Sequence, residues 1–341
     1  MINMNKHIAA YGEIMMRLEV PDNLLLRQAE NLKYSFTGTG VNVTGLLAQF
    51  GYTSSLISAV PNNSIGTAAV GGIRRIGINS DLVIYNNDNL GMYFLEKGFG
   101  NRPSNVTYTN RQQSSFNTTD ISKYNVKNSL KDIDVLHICG ITLAMNQLTR
   151  NNVLQLVKLA KEQNVKIIFD CNFRASLWGE NGNERAKPYY ETILSEADIV
   201  IMNEKDAIQT LGMSTNKESK EEQLEELLPK VADKYNISKI AGTIRTVNGN
   251  ANNLIKGYLF SENNIYYSEE FNVEILDRIG TGDAYTCGLI HGELSNMKPQ
   301  DIVKFATSSC VLSHTISGDT PLFEIDDIIK IINNEKKDIE R

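Results

Sequence analysis

The chain has 341 residues, 41% of them hydrophobic and 22% charged, with a formal net charge of −6 at pH 7. That length allows one large core plus an appended smaller unit; the acidic balance offers no basic stripe for nucleic acid, and no apolar run is long enough to cross a bilayer. Met1 to Ala10 lacks the basic start, long apolar centre and cleavage site of a signal peptide, so a cytoplasmic location is expected.

The N-terminal residues run directly into a strand-like stretch, and Glu13 to Thr37 reads as alternating strands. Thr37-Gly38-Thr39-Gly40-Val41-Asn42 then opens a helix over Val41 to Phe50, closed by Gly51, and a second helix over Ile65 to Ile76 is closed by Gly77. Gly91 to Arg111 alternates again. From Asp134 onward, strands at Val135 to Cys139, Lys166 to Asp170 and Ile199 to Met202 alternate with helices near Gln147 to Gln163 and Glu184 to Glu196, the rhythm of a mostly parallel sheet with crossover helices. Asn164 ends the first of these helices, whose apolar side is marked by Leu154, Val157, Leu159 and Ala160. Lys217 to Leu228 and the Asn-Asn-Glu-Lys-Lys-Asp tail read as surface helices, and Ile240 to Arg245 as one more strand. The two alternating segments, approximately 13–37 and 91–111, are expected to meet as a small sheet over the mouth of a single α/β domain spanning 1–341. That sheet would be a lid.

Cys139, Cys171, Cys287 and Cys310 have neither disulfide nor zinc spacing and are expected to be reduced and buried. None of the four histidines has an evident catalytic partner, and His314 is taken as structural. The chemistry concentrates instead at Gly280-Thr281-Gly282-Asp283. The glycines leave the backbone unobstructed, so amides of Gly280, Thr281, Gly282 and Asp283 can face one concavity at the positive end of a helix. Asp283 can take a proton from an attacking hydroxyl while those amides stabilise a transferring phosphoryl group. A bare Gly-x-Gly-Asp also describes an aspartate cap after a glycine turn. The Thr37 to Asn42 turn superficially suggests a dinucleotide fingerprint, but Val43 stands where the third glycine is needed, which disfavours a nicotinamide oxidoreductase.

Asp277-Arg278-Ile279-Gly280-Thr281-Gly282-Asp283-Ala284-Tyr285 resembles the C-terminal signature of the PfkB, or ribokinase-like, family of sugar kinases, with Arg278 and Thr281 departing from its commonest form. Arg278 is familiar in the branch acting on 2-keto-3-deoxygluconate. The resemblance runs from about Tyr11 to Asp319 with motifs in family order. It implies a ribokinase-like α/β fold with a β-sheet lid that often serves as a dimer contact.

The resemblance also distributes roles. Gly38 and Asn42 would hold the acceptor's hydroxyls. Tyr93, Tyr108 and Arg111 resemble the lid of 2-keto-3-deoxygluconate kinases, where phenols meet hydroxyls and a guanidinium meets the acid's carboxylate, although two residues rather than one separate Tyr108 from Arg111. Asp170-Cys171-Asn172-Phe173-Arg174 resembles the family's Asp-x-Asn-x-Arg segment, with Arg174 bridging acceptor and phosphate and Asn172 near the nucleotide. Asn203 and Asp206 would act on magnesium through water, Asp206 replacing the family's glutamate. Thr243 and Arg245 would line the nucleotide phosphates, and Asp319 would face distal substrate hydroxyls. ATP and Mg2+ are the implied cofactors, with room left for a monovalent cation; the implied partners are a sugar acid and further copies of this chain, as a homodimer or higher homo-oligomer, without nucleic acid or membrane. The expected reaction moves the ATP γ-phosphoryl group to the 6-hydroxyl of 2-keto-3-deoxygluconate. A fructokinase- or ribokinase-type enzyme for a neutral sugar, or a non-catalytic sugar-binding relative, are the rival readings.

Overall fold

The computed structural model describes residues 5–248 and 252–334. Its central strands are short apolar runs: β1 (His7–Tyr11), β4 (Thr53–Val60), β5 (Val83–Tyr85), β8 (Val135–Cys139), β9 (Lys166–Asp170) and β10 (Ile199–Ile201). All five residues of β8 are buried, as expected for a parallel strand covered on both faces. Parallel pairing places β8 between β1 and β9 with Ala10 opposite His137 and Ile168 beside it, and the order across these strands is β10-β9-β8-β1-β4-β5.

One edge departs from the parallel rhythm. β11 (Lys239–Asn248) turns back antiparallel into β12 (Asn252–Ser261), which pairs in turn with β13 (Asn264–Tyr267) and β14 (Phe271–Val273). Side-chain alternation splits the core between the two faces: Ile167 and Phe169 join the cluster under the helices Gln147–Glu162, Gly182–Leu194 and Lys220–Tyr235, whereas Ile168 joins the one under Thr39–Gln49, Thr281–Leu294 and Pro299–Ser313.

The helices expected at 41–50 and 65–76 lie at Thr39–Gln49 and Ser64–Arg75. In Gln147–Glu162 the buried seam is Val153, Leu156, Val157 and Ala160, with Leu154 and Leu159 only half-buried. The expected seam was thus partly misplaced, because the i, i+3, i+4, i+7 set beginning at Val153 faces the sheet. The charged helix runs over Lys220–Tyr235, three residues later than its expected start, with Ser219 as its N-cap. At the tail, Asn333 and Asn334 follow the helix Ile325–Ile332, and the remainder lies outside the described residues. All four cysteines are free and buried. Among the described residues no helix is long and apolar enough to cross a membrane.

A separate four-stranded sheet has the order β3-β2-β6-β7, from β2 (Met15–Glu19), β3 (Lys33–Thr37), β6 (Gly91–Glu96) and β7 (Asn105–Thr109). The two sequence segments join where β2 runs parallel to β6, Met15 opposite Gly91 and Arg17 opposite Tyr93. Met15, Tyr93 and Leu95 are buried and pack on Ile279, beside the glycine turn, so the inner face of this lid rests on the α/β body.

Candidate active site

Gly280 caps the helix Thr281–Leu294 with φ of 81°, and a Cβ there would overlap the Asp319 carbonyl oxygen. Only glycine suits both constraints. The first helical bond is Ala284 N–H to the Gly280 carbonyl, at 2.9 Å, so the amides of Thr281, Gly282 and Asp283 precede any intrahelical acceptor. Open space lies in front of Gly282. This is the geometry of an anion-binding helix start.

Asp283 is buried in the first turn of that helix. Asn42 Nδ2 donates to its Oδ2 at 2.7 Å, and the Oδ1 of Asn42 accepts from Thr320 at 2.7 Å and from Thr37 at 3.0 Å. Burial pushes the Asp283 carboxyl up to about 7; the charge of Asp170 adds to this, while Asn42 and Arg174 oppose it. A carboxyl poised there suits a general base working near neutral pH. Asp170, at the end of β9, is raised by burial to about 6 despite Arg174 and Asn172.

The lid supplies the opposite wall. The Tyr93 hydroxyl donates to Asp319, and Tyr93 and Tyr108 lie with ring centroids 5.9 Å apart. Arg111 sits 4.7 Å over the Tyr108 ring, so the two-residue spacing between them still brings cation and phenol together. Arg111 is buried; its Nε donates to Glu13 at 3.0 Å, but its Nη1 has no partner. Glu13, Gly38, Thr39, Arg111, Thr142 and Met145 line a small cavity beside it. Gly38, the cap of Thr39–Gln49, abuts the Glu13 carbonyl closely enough to exclude any side chain.

The residues read as nucleotide and metal contacts are more dispersed. Asn172 adopts a φ of 36° and its buried Oδ1 has no partner. Arg174 is exposed, yet its charge acts on Asp170, Asp206 and Asp283 alike. Asn203 and Asp206 cap each other: Asp206 Oδ2 accepts from the Asn203 amide at 2.8 Å, and Asn203 Oδ1 from the Asp206 amide at 3.1 Å. Burial raises Asp206 to about 7, with Asp170 and Glu204 adding to it against the Asn203 bond. Thr243 lies half-buried on β11, and Arg245 donates to Asn253 at 2.6 Å while its Nε remains unpaired. Among the described residues no three His, Cys, Asp or Glu side chains cluster to hold a metal directly. The surplus of buried carboxylate at Asp170, Asp206 and Asp283 nevertheless fits a hydrated cation carried in on phosphates.

The model of the pfkB family carbohydrate kinases matches residues 5–322. The chain belongs to this family. It is an ATP-dependent carbohydrate kinase with the ribokinase-like fold. Among solved structures, the kinase is similar to an Enterococcus faecalis protein provisionally named 2-keto-3-deoxygluconate kinase, with 37% identity, a TM-score of 0.94 and 99% of each chain covered. It is similar to the 2-dehydro-3-deoxygluconokinase of Thermotoga maritima at 29% identity and a TM-score of 0.91, covering 96% of this chain and 100% of that one. The 2-dehydro-3-deoxygalactonokinase of Haloferax volcanii is 21% identical over 338 residues, 99% of this chain and 100% of the relative.

The kinase also contains residues at this site that no motif in the sequence marks. Arg17, 1% exposed on β2, pairs with Asp319 and Glu19 and lies 3.4 Å from Asp277. Glu13 holds Arg111, and Lys97 reaches Glu19 at 2.8 Å. Alternation along Met15-Met16-Arg17-Leu18-Glu19 put Arg17 on the inner face with Met15, a signal available in the sequence. His314 matches its structural reading: it is buried, with Nδ1 2.8 Å from the Cys310 carbonyl.

Proposed function

We propose that the kinase phosphorylates 2-keto-3-deoxygluconate on its 6-hydroxyl, giving 2-keto-3-deoxy-6-phosphogluconate. The single observation carrying this reading is the Arg111 guanidinium, buried over the Tyr108 ring, which in turn neighbours Tyr93, with Nη1 unpartnered. A buried cation with a free donor is costly unless a ligand completes it, and a planar carboxylate is the group that does so bidentately. Glu13 already takes Nε, which orients the remaining donors. A neutral sugar would leave this arrangement incomplete. The names of the Enterococcus and Thermotoga relatives support the same substrate class.

In the mechanism, Asp283 takes the proton of the 6-hydroxyl as its oxygen bonds to the γ-phosphorus, and the bond from the γ-phosphorus to the bridging β-phosphate oxygen breaks, so that ADP leaves. The amides of the Gly280 to Asp283 turn hold the charge that builds on the equatorial oxygens. Asn42 orients Asp283 through its 2.7 Å bond and, with Gly38, holds acceptor hydroxyls; Asp319 takes the distal ones. Arg174 spans acceptor and transferring phosphate, while Asn172, Asn203, Thr243 and Arg245 receive the nucleotide. Asn203 and Asp206 would hold a magnesium ion through water, and its charge would help neutralise the phosphates. Lid closure excludes water. The half-buried outer lid residues Leu18 and Phe94 support a homodimer through this sheet.

The experiment is to locate the phosphate in the product by phosphorus–proton correlation NMR. Coupling to the C6 protons is expected; phosphate on any other carbon contradicts the assigned acceptor position.

A further inference from the structure

We propose that Arg17 is a positioning residue that couples closure of the lid to the shape of the Gly280–Asp283 turn. The inference rests on the reaction proposed above, and its geometry begins with charge. Arg17 projects from lid strand β2 into the body, where its guanidinium pairs with Asp319 and lies 3.4 Å from Asp277 Oδ2. Asp277 in turn organises the backbone just before the turn: its Oδ1 accepts from the amides of Arg278 at 2.8 Å and Ile279 at 3.2 Å, and its Oδ2 from Gly318 at 3.2 Å. Asp319 carries the carbonyl against which Gly280 is packed. One lid side chain therefore touches both residues that fix where the anion-binding amides begin, Asp277 through its carboxylate and Asp319 through its backbone carbonyl.

Two further contacts run the same way. Lys97, on the lid after β6, lies 3.4 Å from Asp277 and donates to Ser317 at 2.6 Å. Ile279, one residue before Gly280, packs into the lid cluster of Met15, Tyr93 and Leu95. The turn is thus gripped by the lid through ionic and apolar contacts.

The ionic character of the link suits a part that must open. The cavity beside Arg111 is small, about 30 Å³, and outward movement of the lid gives a sugar acid a wider way in. Charges that separate on opening regain hydration, which largely offsets the lost pairing. An apolar seam of the same extent would have no such compensation. Closure then re-forms the Arg17 bridge, and the turn takes its transfer-competent shape only with the lid down over the acceptor. Phosphoryl transfer to water is suppressed by the same coupling.

Backbone hydrogen exchange at residues 278–283, measured together with steady-state kinetics in Arg17→Lys, Arg17→Met and Lys97→Met, tests the coupling. Lysine keeps the charge but cannot fork between Asp277 and Asp319. In Arg17→Lys we expect exchange at 278–283 to accelerate beyond that of the rest of the chain, kcat to fall about tenfold, and KM for ATP to stay within about twofold. Lys97→Met, at the more exposed edge of the network, should move the same readouts less. Should Arg17→Met fail to fold, Arg17→Lys and Lys97→Met still decide. A folded Arg17→Lys with unaltered kcat and unaltered exchange at 278–283 overturns the proposal, as does a lowered melting temperature with no local change. The exchange arm needs no acceptor, so failure of the unaltered protein to use any sugar acid would reject the proposed reaction separately.

Discussion

Asn42 and Asp283 lie 241 residues apart in the chain, yet the amide of one donates to the carboxylate of the other at 2.7 Å. Each stands in the first turn of its own helix, Thr39–Gln49 and Thr281–Leu294, so two glycine-opened helices converge on one point. The bond opposes a larger effect. Burial alone would hold Asp283 protonated, and Asn42 and Arg174 draw it back to about 7.

Asp283→Asn should abolish phosphoryl transfer and raise the melting temperature. The folded pKa of about 7 lies above the ordinary aspartate value of 3.8, so the folded state binds the extra proton between these values. Stability from this group is complete below about 4 and is lost as pH rises through 7. At pH 8 the carboxylate is a net cost, and asparagine removes it while still accepting from Asn42. A gain on the order of 2 kcal/mol at pH 8, shrinking toward pH 4, is expected in thermal or denaturant unfolding. Transfer within about tenfold of the unaltered rate would remove Asp283 from the base role.

The acidic limb of kcat/KM for the acceptor should fall near pH 7 and move to lower pH in Asp170→Asn. Asp170 raises the Asp283 carboxyl by its charge, and asparagine lacks that charge. A limb that stays in place in a folded Asp170→Asn protein would mean that another group titrates.

Arg111→Met should raise KM for the acid at least about tenfold and leave that for ATP nearly unchanged. It also strands buried Glu13, so the single variant should lose stability. Adding Glu13→Gln should restore the melting temperature without restoring acid affinity. Recovery of both would reduce Arg111 to a structural partner of Glu13.

Sedimentation at micromolar concentration should give a dimer that dissociates in Phe94→Glu. Leu95 is unsuitable for this test because it is 1% exposed and packs inward toward Ile279, whereas Phe94 alternates to the outer face. A monomeric unaltered protein would reject the lid contact.

Much of this site was legible because local backbone demands leave marks in sequence. Gly280 and Gly38 stand where side chains would strike the Asp319 and Glu13 carbonyls, and period-two alternation disclosed the strands of the lid. What escaped was pairing at a distance. Nothing in Met15 to Glu19 says which carboxylates Arg17 will meet, since Asp277 and Asp319 arrive from the other end of the chain. The antiparallel return of β12 onto β11 was likewise invisible, because apolar runs do not encode strand direction. Asn203 and Asp206 were read by motif, but their mutual capping depends on a local turn that the motif does not describe.

Coupled ADP release over a panel of 2-keto-3-deoxygluconate, 2-keto-3-deoxygalactonate, fructose, ribose and glucose, compared as kcat/KM, tests the proposed substrate most directly. 2-keto-3-deoxygluconate is expected to exceed every neutral sugar by at least about a hundredfold, the loss that follows when a buried guanidinium goes unpaired. A neutral sugar matching or exceeding both acids would contradict it.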